Sequence, residues 1–405
     1  MIDVLCERLD DFGRGVCHVS GKVLFVSNLL PLERARVRIV IEKKKYMIGE
    51  VVEYLKKSSE RVTPKCHYEN CGCSLMNMNY EDTLAYKKSR VMSLLKKFAF
   101  TDLSDIEIIY DSNCYGYRNK VSLKVRDGKI GYFKNETNDL IEIDKCLILN
   151  DKINEIVSVL KKEDLSNVVS IVIKNMDSVL IDIEGLMDIN NLKEYASSIF
   201  MNGICVFGVD KVMCSLLNYK FLVSRDSFFQ VNKKVTEKLY SKVLEYAGEG
   251  NKLIDLYCGT GTIGIILSKN YKEVLGIEIS KSAVECALEN KKINNVKNIS
   301  FKCGDANKLC EGEKADTVVV DPARAGLSNL GIKNILEINP KKIVYVSCNP
   351  VTLARDLKEL FSDYKLKEIC LFDMFPWTYH VECVCLLEKC WAFYRIKARQ
   401  IAMKF

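Results

Sequence analysis

The sequence predicts an α/β protein: a C-terminal doubly wound, mostly parallel sheet, preceded by a small β-barrel and a central α+β region. Three observations predict it. From Lys252 onward the pattern strand, glycine turn, helix repeats, which marks parallel strands joined by crossover helices. The first 57 residues hold only short apolar runs, broken at Gly13-Arg14-Gly15, Ser20-Gly21-Lys22 and Leu30-Pro31. Between these parts, over 150–225, helical and strand spacing alternate. With 405 residues, two or three domains are expected, and we divide the chain at 1–57, 58–226 and 227–405.

The N-terminal unit comes first. Val23-Leu24-Phe25-Val26 reads as one strand. Ala35-Arg36-Val37-Arg38-Ile39-Val40-Ile41 alternates apolar with basic residues, so it suits a strand with one wet cationic face. Small barrels of such strands often bind single-stranded nucleic acid. The net charge is +7, and lysines come in runs such as Lys43-Lys44-Lys45, Lys56-Lys57 and Lys87-Lys88. Surface lysine is ordinary, but the set is compatible with a polyanionic partner such as RNA. No apolar stretch approaches the roughly 20 residues that span a bilayer, so no membrane partner is expected. The first residues lack the basic-then-apolar pattern of a leader. Eighteen cysteines in such a chain argue for reduced thiols and a cytoplasmic setting. Nothing in the sequence calls for a protein partner, so a monomer is expected.

The central region opens on Cys66-His67-Tyr68-Glu69-Asn70-Cys71-Gly72-Cys73. Three cysteines within eight residues read as metal or cluster ligands. The alternatives are a zinc site, with or without His67, and thiols that hold no metal. A lysine-rich helix follows near 79–100 and is expected to pack on the catalytic region. Tyr115-Gly116-Tyr117-Arg118-Asn119-Lys120 interleaves aromatics with cations, which suits stacking on unpaired bases and phosphate contact, or equally a solvated hairpin edge. Val121-Ser122-Leu123-Lys124-Val125 then reads as a strand, with a turn at Asp127-Gly128.

In the C-terminal region, a helix over Tyr240 to Tyr246 closes at Gly248 and Gly250. Leu253 to Leu256 is a buried strand, and Gly259-Thr260-Gly261-Thr262-Ile263-Gly264 is a glycine turn opening a helix. Such turns let a ligand approach the backbone and meet free N–H groups. About twenty residues on, Glu278 ends a second strand, where a carboxylate accepts from both ribose hydroxyls. Asp305 ends a third and suits an adenine amino group. A nicotinamide enzyme is the rival reading, because the glycine spacing alone is weak. Asp321-Pro322-Ala323-Arg324, at the mouth of the run Thr317 to Val320, favours S-adenosylmethionine chemistry on a planar nitrogenous target. Last, the run Ile343 to Val346 ends at Ser347-Cys348-Asn349-Pro350. Proline forces the chain to turn there, presenting a thiol at a strand end. A buried, inert cysteine is the plain alternative for Cys348.

Five blocks now accumulate into a resemblance: Ser227-Phe228-Phe229-Gln230-Val231-Asn232, Asp255 to Gly264, Asp321-Pro322-Ala323-Arg324-Ala325-Gly326-Leu327, Ser347-Cys348-Asn349-Pro350, and Phe375-Pro376-Trp377-Thr378-Tyr379-His380-Val381-Glu382. In this order they resemble the bacterial RNA uracil-5-methyltransferases, most of all the branch that modifies 23S ribosomal RNA. The first 57 residues resemble its TRAM RNA-binding domain. The resemblance implies a Rossmann-like methyltransferase domain in which Cys348 adds to carbon 6 of uracil and Glu382 removes the proton from carbon 5. Glu382 lies beside apolar Val381 and Val384, so burial would raise its pKa toward that of a useful base. The resemblance further implies Gln230, Tyr257, Thr262, Glu278, Asp305 and Asp321 as S-adenosylmethionine contacts. Asp321 and Arg324 would hold the uracil, and Arg118 and Lys120 would meet RNA. It also implies a [4Fe–4S] cluster on Cys66, Cys71, Cys73 and Cys146. Two departures stand out. The cysteine spacing, C-x4-C-x-C, is one residue short in each gap, and Trp377 replaces a smaller polar residue or histidine. A transfer-RNA methyltransferase, or an RNA-binding factor without catalysis, are the alternatives.

Overall fold

A computed structural model describes residues 1–68, 71–97, 105–134 and 137–390. Among these residues the strands form four sheets. The first six strands, from Ile2–Leu5 to Tyr46–Lys56, make one sheet around a core of Val4, Cys6, Leu24, Val26, Val37 and Met47. In the strand Arg34–Glu42 the arginines face solvent as expected, and acids stand beside two of them. Arg36 pairs with Asp3 at 3.0 Å and Glu53 at 2.9 Å, and Arg38 pairs with Glu50 at 3.0 Å. Acids on flanking strands neutralise the basic alternation, because cross-strand neighbours of opposite sign attract.

The second sheet, of seven strands, belongs to the central region. Its middle is formed by Lys120–Arg126, Val168–Asn175 and Val179–Gly185. Helix Asp151–Leu160 covers it, burying Ile153, Ile156, Val157 and Leu160 against Leu123, Ile171 and Ile173. The third is the hairpin Lys211–Leu216 with Tyr219–Ser224.

The fourth sheet has eight strands. Five are parallel, in the order Ile299–Cys303, Tyr271–Glu278, Gly250–Leu256, Thr317–Val320 and Lys342–Ser347. Their near-continuous burial follows from helices on both faces. The final strand, Glu382–Lys389, inserts antiparallel between Lys342–Ser347 and Tyr364–Phe372. Helix Lys233–Ala247 is capped by Asn232, whose side chain accepts from the Val235 N–H, and ends at Gly248 with φ +67°.

The central region is not separate from this sheet. Strand Glu107–Ile109 pairs with Tyr364–Phe372 as the eighth strand. Helix Tyr80–Lys96 packs Val91, Leu94 and Leu95 into the same core as Leu353, Leu357 and Leu360 of helix Pro350–Leu360. The expected continuation of the lysine-rich helix over 98–100 lies outside the described residues. Helix Tyr80–Lys96 is further fastened by an ion pair between Lys87 and Asp373, both fully buried. The Tyr80 hydroxyl donates to Asp373 at 2.6 Å and Lys87 Nζ donates to the Phe375 carbonyl at 3.1 Å. No described helix is long and apolar enough to cross a membrane.

Candidate active site

The glycine turn is built as an open cradle. Gly259 and Gly261 adopt φ of +54° and +77°, which glycine takes without strain. Nothing lies within 4 Å of where a Cβ on Gly259 would stand. Asp255 Oδ2 accepts from the Gly264 N–H at 2.9 Å, tying strand to helix, while its Oδ1 is buried without a partner. Burial, reinforced by Asp321 and Glu278, pushes this carboxyl up to about 8. Glu278 accepts from the N–H groups of Gly259 at 3.0 Å and Ser280 at 2.9 Å, which fixes its carboxylate at the end of its strand. Asp305 caps the short helix Ala306–Leu309. Tyr257, half-buried, sits at φ +64°, a conformation that bulky residues avoid and that clusters at functional sites. Thr262 opens the helix, its hydroxyl 3.2 Å from that of Thr260. An open glycine turn flanked by three strand-end acids fits S-adenosylmethionine: polar hydroxyls for the acids and room for the backbone to meet the ligand.

Gln230 arrives from another direction. Asn119 of the central region donates from its backbone N–H to the Val231 carbonyl at 2.9 Å and from Nδ2 to the Gln230 carbonyl at 3.3 Å. Thus the central region holds the backbone of the Gln230 segment in place.

The loop 321–327 follows strand Thr317–Val320. Burial alone pushes Asp321 up to about 7. The loop is gripped by the helix that follows Cys348. Asn349 Nδ2 and the Thr352 hydroxyl donate to the Arg324 carbonyl at 2.9 and 3.2 Å. Arg355 donates to the carbonyls of Ala325 and Leu327, and buried Asp356 accepts from the Leu327 N–H at 2.7 Å and the Tyr345 hydroxyl at 2.7 Å. Sequence reasoning missed Asp356 and Arg355. The signal was present for Asp356, which falls on the apolar stripe of Leu353, Leu357 and Leu360.

Cys348 and Glu382 meet through strand register. In the antiparallel pair, Lys342 faces Glu388 and Ser347 faces Cys383. Cys348 directly follows Ser347 and Glu382 directly precedes Cys383, so both stand at the adjoining ends of these two strands. Glu382 is 3% exposed, and burial, then Asp321, push it up to about 8, with Arg324 pulling it back. Cys348 is partly exposed. Burial, Glu382 and Asp321 push its thiol up to about 11, again opposed by Arg324. These mutual effects gather Cys348, Glu382, Asp321 and Arg324 in one place. His380 stands beside them. Burial, then Arg324, Lys87, Arg90 and Arg118, push its imidazole down to about 4, so it is neutral at physiological pH.

The aromatics of 115–120 are spent internally rather than left for bases. Tyr117 donates to the Pro376 carbonyl at 3.2 Å, and Tyr115 stacks on Trp377 with centroids 5.4 Å apart. Arg118 acts on His380 and on Cys73. Lys120 is half-buried, its pKa lowered by burial and then by Arg118. Trp377 is a junction. Its Nε1 donates to the Cys114 carbonyl at 3.1 Å, its carbonyl accepts from the Leu75 N–H at 3.0 Å, and its ring packs on Tyr80 with centroids 5.2 Å apart.

The cysteine segment lies beside this junction. Cys146 acts electrostatically on Cys66, Cys71 and Cys73, so the four thiols are neighbours. Burial pushes Cys71 up to about 11 and Cys73 higher still. Asn154 clamps Cys146, accepting from its N–H at 2.9 Å and donating to its carbonyl at 3.1 Å. Among the described residues, no three His, Cys, Asp or Glu side chains converge on a single ion position. Glu69 and Asn70 lie outside the described residues.

A doubly wound sheet with an open glycine turn, strand-end acids and a thiol–carboxylate pair defines an S-adenosylmethionine-dependent methyltransferase. Known proteins agree. The family model for tRNA (uracil-5-)-methyltransferases matches residues 209–314 and 309–390. An RNA methyltransferase of Clostridium acetobutylicum is 34% identical over 94% of this chain and 96% of its own. One of Staphylococcus aureus is 33% identical over 93% of this chain and 95% of its own. Among solved structures, the Pyrococcus abyssi tRNA (uracil-54, C5)-methyltransferase, in complex with S-adenosyl-L-homocysteine, has a TM-score of 0.80 at 28% identity, covering 95% of this chain and 100% of that one. The chain belongs to the RNA uracil-5-methyltransferase family and is an S-adenosylmethionine-dependent RNA methyltransferase.

Proposed function

We propose that this enzyme methylates carbon 5 of a uridine in RNA, with Cys348 as nucleophile and Glu382 as base. The observation that carries this is the pairing of Ser347 with Cys383, which brings the strand ends bearing Cys348 and Glu382 together, with Asp321 and Arg324 acting on both. Carbon 5 of uracil is a weak nucleophile. Addition of the Cys348 thiolate to carbon 6 turns the ring into an enolate, whose oxygen Arg324 stabilises and whose imide edge Asp321 holds. Gln230, Tyr257, Thr262, Glu278, Asp305 and Asp321 would hold S-adenosylmethionine, whose sulfonium would give its methyl group to carbon 5 and leave as neutral S-adenosylhomocysteine. Glu382 then takes the proton from carbon 5, the electron pair re-forms the ring double bond, and the Cys348 thiolate departs. The base must leave its stack to reach Cys348; Arg118 and Lys120 contribute phosphate contacts.

We place the target in 23S ribosomal RNA, on the resemblance of the N-terminal unit and the cysteine segment to that branch. Neither feature excludes transfer RNA, since a tRNA-modifying structure matches 95% of the chain. Transfer RNA is therefore the second reading. The purified protein, given each RNA separately, decides by nucleoside mass spectrometry. 5-Methyluridine in 23S ribosomal RNA alone supports the first reading, in transfer RNA alone the second, and in neither overturns both.

We further propose that Cys66, Cys71, Cys73 and Cys146 hold a [4Fe–4S] cluster. The all-thiol donor set and its mutual proximity support it, while a single zinc would need its ligands to converge on one point. The cluster would brace the segment under Trp377, since methyl transfer needs no electron. Iron and sulfide analysis of anaerobically purified protein tests this; zinc or no metal would refute it.

A further inference from the structure

Lys174 is 2% exposed, and the catalytic chemistry does not use it. It sits near the end of strand Val168–Asn175 in the central sheet. Its Nζ donates to three carbonyls of one turn: Ser224 at 3.0 Å, Arg225 at 2.7 Å and Ser227 at 2.9 Å. An ammonium has three protons, and all three are used here. A buried cation is costly unless fully hydrogen-bonded, so this arrangement holds only while the turn keeps its shape. The turn leads straight into Phe229-Gln230-Val231-Asn232. The next residue of the strand continues the grip: Asn175 N–H donates to the Asn119 carbonyl at 2.7 Å, and Asn119 holds the carbonyls of Gln230 and Val231.

We propose that Lys174 is a positioning residue for the S-adenosylmethionine site, fastening the turn 224–227 to the central sheet and so fixing the arm that presents Gln230. The inference rests on Gln230 as a cofactor contact. It makes cofactor affinity depend on a side chain of the central sheet. The groups facing Lys174 are Lys120, directly opposite on strand Lys120–Arg126, Asp182 on strand Val179–Gly185, and Arg225 and Asp226 in the turn itself. Arg225 is occupied by Asp226 at 3.0 Å and Asp182 at 3.5 Å. Burial first, then Lys120, lowers the ammonium to about 8. The clamp is therefore complete below that pH and loses a donor above it.

Calorimetric binding of S-adenosylhomocysteine at pH 7 and pH 9 tests the inference on wild type, Lys174→Met, Lys174→Arg and Gln230→Ala, with steady-state kinetics at pH 7. Lys174→Met should weaken binding about tenfold at pH 7, the worth of one charged hydrogen bond. Its KM for cofactor should rise while kcat at saturation stays within about twofold, a split that general loss of structure would not give. Wild type should lose more affinity between pH 7 and 9 than Lys174→Arg, whose guanidinium keeps its charge. Wild-type affinity in Lys174→Met overturns the clamp, as does a fall in kcat with affinity intact. If Lys174→Met fails to fold, Lys174→Arg decides, and a pH dependence equal to wild type overturns the clamp. If Gln230→Ala weakens binding and Lys174→Met does not, only the clamp is wrong. If Gln230→Ala binds normally, the cofactor assignment fails and takes the clamp with it.

Discussion

At the level of single residues, burial shifts the acids of the site toward their protonated forms. Burial raises Cys348 to about 11, Glu382 to about 8 and Asp321 to about 7; Asp321 adds to the rise of Glu382, and both carboxyls add to that of Cys348. In the proposed mechanism, a sulfonium entering the site would lower all three and so ready Cys348 for attack. Alkylation of Cys348 by iodoacetamide at pH 8, followed by mass spectrometry, should therefore quicken several-fold with S-adenosylmethionine and not with neutral-sulfur S-adenosylhomocysteine. Equal rates would contradict this. With Glu382 as the proposed base, turnover should rise with pH through about 8, as that side chain becomes a carboxylate. Cys348 itself was legible from the sequence, because Asn349-Pro350 forces a turn at a strand end. Its nearness to Glu382 followed only from the family resemblance, because spacing along the chain says nothing about an antiparallel strand that begins 34 residues later.

Among elements, helix Tyr80–Lys96 shows what periodicity reads and what it hides. Its buried stripe is Leu84, Lys87, Val91, Leu94 and Leu95. A lysine on that stripe was the sequence signal for a buried partner, and Asp373 is that partner. Removing one member strands the other charge. Lys87→Met should cost about 3–5 kcal/mol in chemical denaturation, and adding Asp373→Asn should recover part of it. A loss below about 1 kcal/mol in the single variant would show that water reaches the pair. The glycine turn and the strand-end acids were readable because each is local. The paired arginines of the N-terminal sheet were not, since Asp3, Glu50 and Glu53 become neighbours only by strand pairing. The same holds for Trp377, whose role needs Leu75, Tyr80 and Cys114 brought together from distant segments.

Across the whole molecule, pH links stability to the buried acids of the site. Asp255, Asp321 and Glu382 have folded values of about 8, 7 and 8, above the ordinary carboxylate range of about 4. The folded state thus binds more protons than the unfolded chain between about pH 4 and 8. The contribution is complete below that window and is lost as pH rises through it. Without cofactor, the melting temperature should fall between pH 6 and 8.5, and Asp321→Asn should flatten that fall. An identical slope in the variant would remove Asp321 from the account. The central region serves this site as much as the catalytic sheet does, through Asn119 on the Gln230 arm, Lys87 on Asp373 and Tyr115 on Trp377.

The central claim is a covalent route through Cys348 with Glu382 as the releasing base. The direct test is Glu382→Gln, incubated with substrate RNA and S-adenosylmethionine and run on a denaturing gel. The account predicts a protein–RNA adduct that accumulates in Glu382→Gln and is absent when Cys348→Ala is added. No adduct in the single variant, or an adduct that persists in the double, would contradict it.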